Sequence, residues 1–364
     1  MVHQFAPLNS YNKRFRSARF HGNRMIMSLS ISTQTLSHRP VIIWLFAMAG
    51  LVFTMVVVGG ITRLTGSGLS MVEWRPLMGI LPPLSDAEWQ RVYMLYQASP
   101  EYIHINDDMD LAGFKTIFFW EYVHRVLGRV IGLAFALPLA VFAFRKMIPQ
   151  GYGFRLGLLF ILGGMQGVIG WWMVKSGLVN DPEVSQYRLA THLSMALLIL
   201  ALLTWTALDL KDGRAPAPKG HLAGVIGILG ITIIAGAFVA GMDAGKLYTE
   251  YPLMGEGFVP IEYGDEGALD AFENPASAQF HHRILALLVV LGVVTLWRRA
   301  LKSGLTLRSN LMLGAVGVQF VLGVLTLLYA VPVSLGTLHQ AGAATLLIFT
   351  TAVAHGLSLK SQKT

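Results

Sequence analysis

WEYVHRVLGRVIGL (residues 120–133) and AQFHHRILALLVVL (278–291) are two versions of one segment. Each carries an acid or its amide, two residues, a histidine, an arginine and then an apolar run. Three further pairs occur in the same order along the two halves: PLMG (76–79) with PLMG (252–255), GMQGVIG (164–170) with GVQFVLG (317–323), and ATHLSMALL (190–198) with TLHQAGAATLL (337–347). The chain is therefore an internal duplication, and repeats of this kind dictate architecture. Both copies of the segment lie in stretches of roughly 20 apolar residues, the length needed to cross a bilayer.

Composition agrees with that reading. The 364 residues are 54% hydrophobic and 13% charged, about half the charge of a typical soluble chain, which is roughly 25%. Eight apolar spans are expected, at 41–62, 116–144, 155–174, 189–208, 221–242, 279–297, 309–330 and 336–357. Lys13, Arg14, Arg16, Arg19, Arg24 and Arg39 precede the first span with no acid among them. Basic residues recur after every second span, as Arg145, Lys146 and Arg155, then Lys211, Arg214 and Lys219, then Arg298, Arg299, Lys302 and Arg308, then Lys360 and Lys363. The long loops between carry the acids, from Glu73 to Asp110 and from Asp243 to Glu273. The positive-inside rule then places both termini in the cytoplasm.

The fold expected is all-α and integral to the membrane, with eight transmembrane helices as two parallel-repeat four-helix bundles. An even number of crossings per copy keeps the copies in the same orientation, unlike the inverted repeats of many transporters. The domains are a basic cytoplasmic segment (1–40), an N-terminal bundle (41–210), a linker (211–220), a C-terminal bundle (221–358) and a tail (359–364). The basic N-terminus reads as a solvated tail, with Met25 or Met27 as internal starts, or alternatively as an organellar presequence. The net charge of +8 belongs to short loops beside lipid headgroups and does not indicate nucleic acid.

There is no cysteine, which excludes disulfides, thiolate metal sites, iron–sulfur clusters and covalently attached haem. Of eleven histidines, His124, His192, His282 and His339 fall inside spans, one in each even-numbered span and at similar depth. Ionisable groups within a membrane are expensive and usually functional. Four positions beyond each, on the same helical face, stand Gly128, Ala196, Ala286 and Ala343, small enough for a flat macrocycle to approach. The neighbouring His281 is followed by Leu285, which favours His282. The competing readings are hydrogen-bonded packing histidines and a metal site without porphyrin, although zinc or copper usually gathers three or four protein ligands. Two imidazoles per bundle fit haem b better, with one ligand on each side of the ring plane.

Arg125, Arg129 and Arg283 are candidate partners for haem propionates, with two alternatives open: a helix-surface pair between Arg125 and Glu121, or side chains reaching for headgroups. Three residues before the first histidine of each pair stands Glu121 in one half and Gln279 in the other. One half thus keeps a proton-active group, so the N-terminal site is expected to carry chemistry and the C-terminal site a permanent electron-transfer haem. The alternative is a Glu121–Arg125 pair with no part in catalysis. Gln166 and Gln319 occupy matching mid-span positions, as interhelical hydrogen-bonding residues or as haem contacts. GGITRLTGSGLSMVEWRPLMG (59–79) reads as a glycine-rich outer loop in which backbone can approach a ligand, and it lacks the lysine spacing of a nucleotide-binding loop.

Glu121-x-x-His124-Arg125, Gln279-x-x-His282-Arg283, the GGITRLTGSGLSM loop, Thr191-His192 and Leu338-His339-Gln340 together resemble the haem A synthase family of cytochrome oxidase assembly proteins, over residues of about 40–358. The resemblance implies an oxidoreductase that converts the ring methyl of haem O to the formyl group of haem A, with water as oxygen source. It implies haem b on His282 and His339, substrate haem on His124 and His192, and a requirement for Glu121. Some bacterial members carry a cysteine pair in outer loops; its absence places this chain with the cysteine-free type. Expected partners are the lipid bilayer, a haem O farnesyltransferase, oxidase assembly factors and a second copy of the chain. The expected location is the bacterial inner membrane, with the mitochondrial inner membrane the less favoured alternative. The runner-up function is a di-haem b membrane cytochrome for quinol or electron transfer.

Overall fold

A computed structural model describes residues 12–73, 81–179 and 182–362, with side chains from residue 38 onward. The PLMG copy at 76–79 and the basic side chains before His38 lie outside the described residues. Eleven α-helices are present among them: α1 (Asn12–Leu64), α2 (Asp86–Gln97), α3 (Pro100–His104), α4 (Leu111–Phe144), α5 (Gly153–Ser176), α6 (Gln186–Asp212), α7 (His221–Gly241), α8 (Asp270–Glu273), α9 (Pro275–Lys302), α10 (Thr306–Leu328) and α11 (Val333–Ser361). Eight are long and apolar enough to cross a membrane, namely α1 from His38 onward, α4, α5, α6, α7, α9, α10 and α11. Each of the eight expected spans falls on one of them.

Local chemistry sets where these helices start. Asp110 caps α4 by accepting from the Gly113 N–H at 2.8 Å. The Asn274 side chain accepts from the Ala276 and Ser277 N–H groups at the start of α9, where Pro275 occupies the first turn. Both devices satisfy N–H groups that have no partner within the helix. One boundary differs from expectation. Helix α1 runs to Leu64, two residues past the expected end of the first span at 62. The hydroxyls of Thr62 and Thr65 bond back to Val58 O and Ile61 O, and side chains of other helices fill the space beside Gly59 and Gly60, so glycine here marks close packing.

Two apolar cores form. Val41, Leu45, Met48 and Val52 of α1 pack with Phe135 of α4, Leu156 of α5, and Leu200 and Leu203 of α6. Leu229 of α7, Val293 and Leu296 of α9, Met312 of α10 and Val353 of α11 form the second. Ile233 and Leu347 pack against both. The first-half helices meet the second through α1 with α11, α6 with α7, and α6 with α11. Half of the α6 window is buried, against 6% for α5, so α6 is central while α5 presents its apolar surface outward.

Between α1 and α4 the chain adds a small aromatic layer. Tyr96 and Phe114 are fully buried and stack at 5.1 Å, with Trp89 against Phe118. At the opposite end of the molecule a polar cluster ties the halves together. The side chains of Asp209 on α6 and His355 on α11 are both fully buried and 3.0 Å apart. Asp209 also accepts from Arg155 of α5 and from the Ala215 N–H. The chain from Ser85 to His104 and the Asp209 cluster were not anticipated from sequence.

Candidate functional site

Each of the four intramembrane histidines lies against a glycine of a neighbouring helix. A methyl group built on Gly59 of α1 would fall 3.3 Å from His124 Nε2, and one on Gly170 of α5 would fall 3.0 Å from His192 Cε1. On Gly236 of α7 it would fall 2.8 Å from His282 Cε1, and on Gly323 of α10 also 2.8 Å from His339 Cε1. At Gly236 and Gly323 a methyl group would force the imidazole to move, and at Gly59 and Gly170 it would crowd the ring. The small residue that matters is therefore on the facing helix, whereas Gly128, one turn beyond His124, is approached by the methyl of Met55. Gly170 and Gly323 end the two copies of the GMQGVIG-type motif, so the sequence did carry the signal.

The histidines come together in pairs. The rings of His282 and His339 are 6.3 Å apart between centroids and nearly perpendicular, at 87°. Metal–imidazole bonds are about 2.0–2.1 Å long, so the spacing accommodates one metal atom bonded to both rings. His192 stands within electrostatic range of His124. All four rings are half-buried. Among the described residues no three His, Cys, Asp or Glu converge as a metal-only site would require.

The second ring nitrogen of His282 is also provided for. His282 Nδ1 lies 3.1 Å from Thr232 O; donation to that carbonyl fixes the tautomer and leaves Nε2 with its lone pair for a metal. Gln166 places its amide nitrogen 3.1 Å from His192 Nδ1 and donates to His192 O at 2.8 Å. Gln319 stands likewise 3.2 Å from His339 Nδ1. The two glutamines thus reach the second histidine of each pair from the preceding helix. His281 instead hydrogen-bonds Tyr263 OH at 3.1 Å and packs against that ring, which separates it from the pair.

The E/Q-x-x-H-R segment fastens a neighbouring loop in both halves, with inverted polarity. Glu121, 3% exposed, accepts at Oε2 from Ser70 Oγ and from the Met71 N–H, both at 2.6 Å. Its Oε1 pairs with Arg125. Arg125 also donates to Met71 O at 2.8 Å and Glu73 O at 3.2 Å. In the second half Gln279 donates to Tyr248 O at 2.9 Å, and Arg283 donates to Tyr248 O at 2.9 Å and Leu253 O at 3.0 Å. Glutamate meets a backbone donor where glutamine meets a backbone acceptor. Arg125 and Arg283, expected beside propionates, are both engaged with loop carbonyls. Arg129 and Arg125 line a cavity of about 140 Å³ between the loop, α2 and α4.

Ser70 and Met71 were not anticipated, because a loop serine has no periodicity to mark it. Glu101 of α3 is a further buried carboxyl, 6% exposed, accepting from Tyr96 OH at 3.1 Å. Burial pushes it up to about 7, and it lies within electrostatic range of Glu121 and Arg63. On α1 the two adjacent glycines serve different histidine sites. Gly59 faces His124, while Gly60 faces Gln340, the residue after His339, whose amide donates to Val56 O at 2.7 Å.

Comparison with known proteins matches this arrangement to one group. A family profile described as cytochrome oxidase assembly protein matches residues 42–351. The haem A synthase of Caulobacter vibrioides is 46% identical over 328 residues, covering 87% of this chain and 95% of the relative. That of Nitrosospira multiformis is 44% identical over 329 residues, covering 86% and 92%. That of Sphingopyxis alaskensis is 43% identical over 344 residues, covering 92% and 97%.

Proposed function

This chain belongs to the cytochrome oxidase assembly protein family, with haem A synthases as its relatives, and we propose that it makes haem A from haem O at the His124/His192 site, with Glu121 as the proton acceptor. It is a multi-pass membrane oxidoreductase. The observation that carries the residue assignment is the contrast between Glu121 and Gln279. Two structurally matched positions hold an outer loop, and only one of them can take up a proton.

Conversion of a methyl to a formyl group takes one water and releases four electrons and four protons, as two successive two-electron oxidations through the alcohol. His282 and His339 would hold haem b, which would supply one-electron transfer when bound. The donor set fits it, since both imidazoles rest on glycine, their spacing suits a shared metal atom, and Thr232 O orients His282. In the N-terminal half, His124 and His192 hold the substrate iron, and Gln166 orients His192. Glu121 takes a proton from the carbon being oxidised and is kept ready for it by Ser70, Met71 and Arg125. Buried general bases depend on such orientation. Arg125 and Arg129, on the cavity wall, and Arg283 are the propionate candidates.

The two halves, 41–210 and 221–358, are parallel repeats related by an axis along the membrane normal. The reading is supported by reciprocal packing, α1 with α11 and α7 with α6. With the basic loops on one side, both termini face the cytoplasm of a bacterial cell, the chain lies in the inner membrane, and haem O passes from its farnesyltransferase through the lipid. The test is Glu121→Gln in a host that makes haem O, with non-covalent pigments extracted and identified by mass. Haem O or its alcohol should accumulate while haem b content holds. An unchanged haem A yield would remove Glu121 from the reaction.

A further inference from the structure

Three groups hold the Glu121 carboxylate: the Arg125 guanidinium, the Met71 N–H and the Ser70 hydroxyl. A guanidinium does not give up its proton in proteins, and a backbone amide is not an acid at working pH. The hydroxyl alone can accept a hydrogen on one side while passing one on from the other. We infer that Ser70 is the positioning residue through which Glu121 discharges its proton to the outer side of the membrane. The inference rests on the proton-accepting role of Glu121 proposed above.

The geometry provides for both states of the carboxyl. Ser70 has one hydrogen and two acceptors in reach, Glu121 Oε2 at 2.6 Å and Ser67 O at 2.9 Å. With Glu121 ionised, the hydroxyl donates to it. With Glu121 protonated, the hydroxyl turns to Ser67 O and its oxygen accepts from the carboxyl. No buried donor is left unmatched in either state, and unmatched donors are what make buried proton exchange costly. In the second half Gln279 has no hydroxyl among its hydrogen-bond partners and meets a carbonyl instead.

Ser70 also lines the cavity of about 140 Å³, together with Glu73, Glu88 and Arg91. Those three side chains are each about 36–41% exposed, so the cavity reaches the aqueous side. A water needs roughly 10–15 Å³ of such space and two to four polar partners, which this cavity supplies several times over. Discharge is then a single relay: Ser70 swings its hydrogen from Ser67 O to a cavity water and passes it on as the carboxyl passes its own hydrogen to Ser70 Oγ. One proton leaves, no electron moves and the hydroxyl is regenerated.

The experiment compares Ser70→Ala, Ser70→Thr and Glu121→Gln in the full-length chain in lipid nanodiscs. The infrared C=O stretch of protonated Glu121, populated by lowering the pH and identified by its loss in Glu121→Gln, is followed on transfer to D2O. Ser70→Ala should slow exchange of that band at least tenfold and lower haem O conversion about tenfold at unchanged haem content. Ser70→Thr keeps a hydroxyl and should restore both. Should Ser70→Ala fail to accumulate, Ser70→Cys, of similar volume with a weak donor, is read in its place and should also be slow. Exchange and conversion at the wild-type rate in the variant lacking the hydroxyl overturns the inference. A stalled Glu121→Gln beside an unaffected Ser70→Ala removes Ser70 alone, whereas a fully active Glu121→Gln removes the reading on which it rests.

Discussion

Gly323 lies so close beneath His339 that a methyl group at position 323 would fall 2.8 Å from Cε1 of the imidazole. Gly323→Ala should therefore push the ring off its seat and weaken haem b binding by about 10–100-fold, the range seen when the support of a metal-ligating histidine is lost. The measurement is haem b per chain by the pyridine haemochrome spectrum. Gly314→Ala on the same helix meets nothing within 4 Å and should leave binding unchanged. Equal haem content in the two variants would refute the seating role.

A second prediction concerns the fully buried Asp209, which accepts from Arg155, His355 and the Ala215 N–H. Asp209→Ala leaves the fully buried His355 and the Ala215 N–H without their acceptor and frees the part-exposed Arg155, and should destabilise the protein by about 1–3 kcal/mol. Asp212→Ala breaks a partly exposed pair with Arg308 and should cost no more than about 1 kcal/mol. Thermal unfolding in detergent separates them, and similar melting temperatures would show that the cluster is not a clamp between the halves.

Stability should also fall as pH rises through neutrality because of Glu101. Burial raises its folded-state value from 4.5 to about 7, so the folded state binds the proton more tightly than the unfolded chain does. That contribution is fully present below about pH 4.5, declines between 4.5 and 7, and is absent above 7. Glu101→Gln should flatten the profile over that window and stabilise the protein near pH 8 by an amount on the order of 2–3 kcal/mol. Unfolding followed from pH 5 to 8 checks the sign, and parallel profiles for wild type and variant would exclude the group.

Reversing the asymmetry of the halves gives a fourth test. Gln279→Glu places carboxylate oxygens opposite Tyr248 O, where the amide now donates at 2.9 Å. Loss of that bond and the new repulsion should destabilise the second half by about 1–3 kcal/mol and lower haem b retention during purification. Retention at the wild-type level would mean that the loop rearranges to supply an N–H, as Met71 does for Glu121.

Much of this was legible in the sequence. Apolar runs located all eight spans, because bilayer thickness is a hard constraint on length. The duplicated His124 and His282 segments exposed the Glu121/Gln279 contrast by alignment alone. What escaped were contacts between helices distant in sequence. Gly59, Gly170, Gly236 and Gly323 matter for what lies across from them, and periodicity reports only a residue's own face. Asp209 and His355 looked like ordinary residues near helix ends until α6 and α11 were seen to meet.

Gly59 and Gly60 are consecutive residues of one helix, yet one seats His124 and the other adjoins Gln340 next to His339. An α-helix turns about 100° per residue, so a rotation of α1 by a single position would present the wrong backbone to both sites at once. α1 behaves as a shaft with two cams. The duplicated halves have consequently lost the freedom to drift apart here: insertion, slip or torsion at this turn registers at His124 in one half and beside His339 in the other.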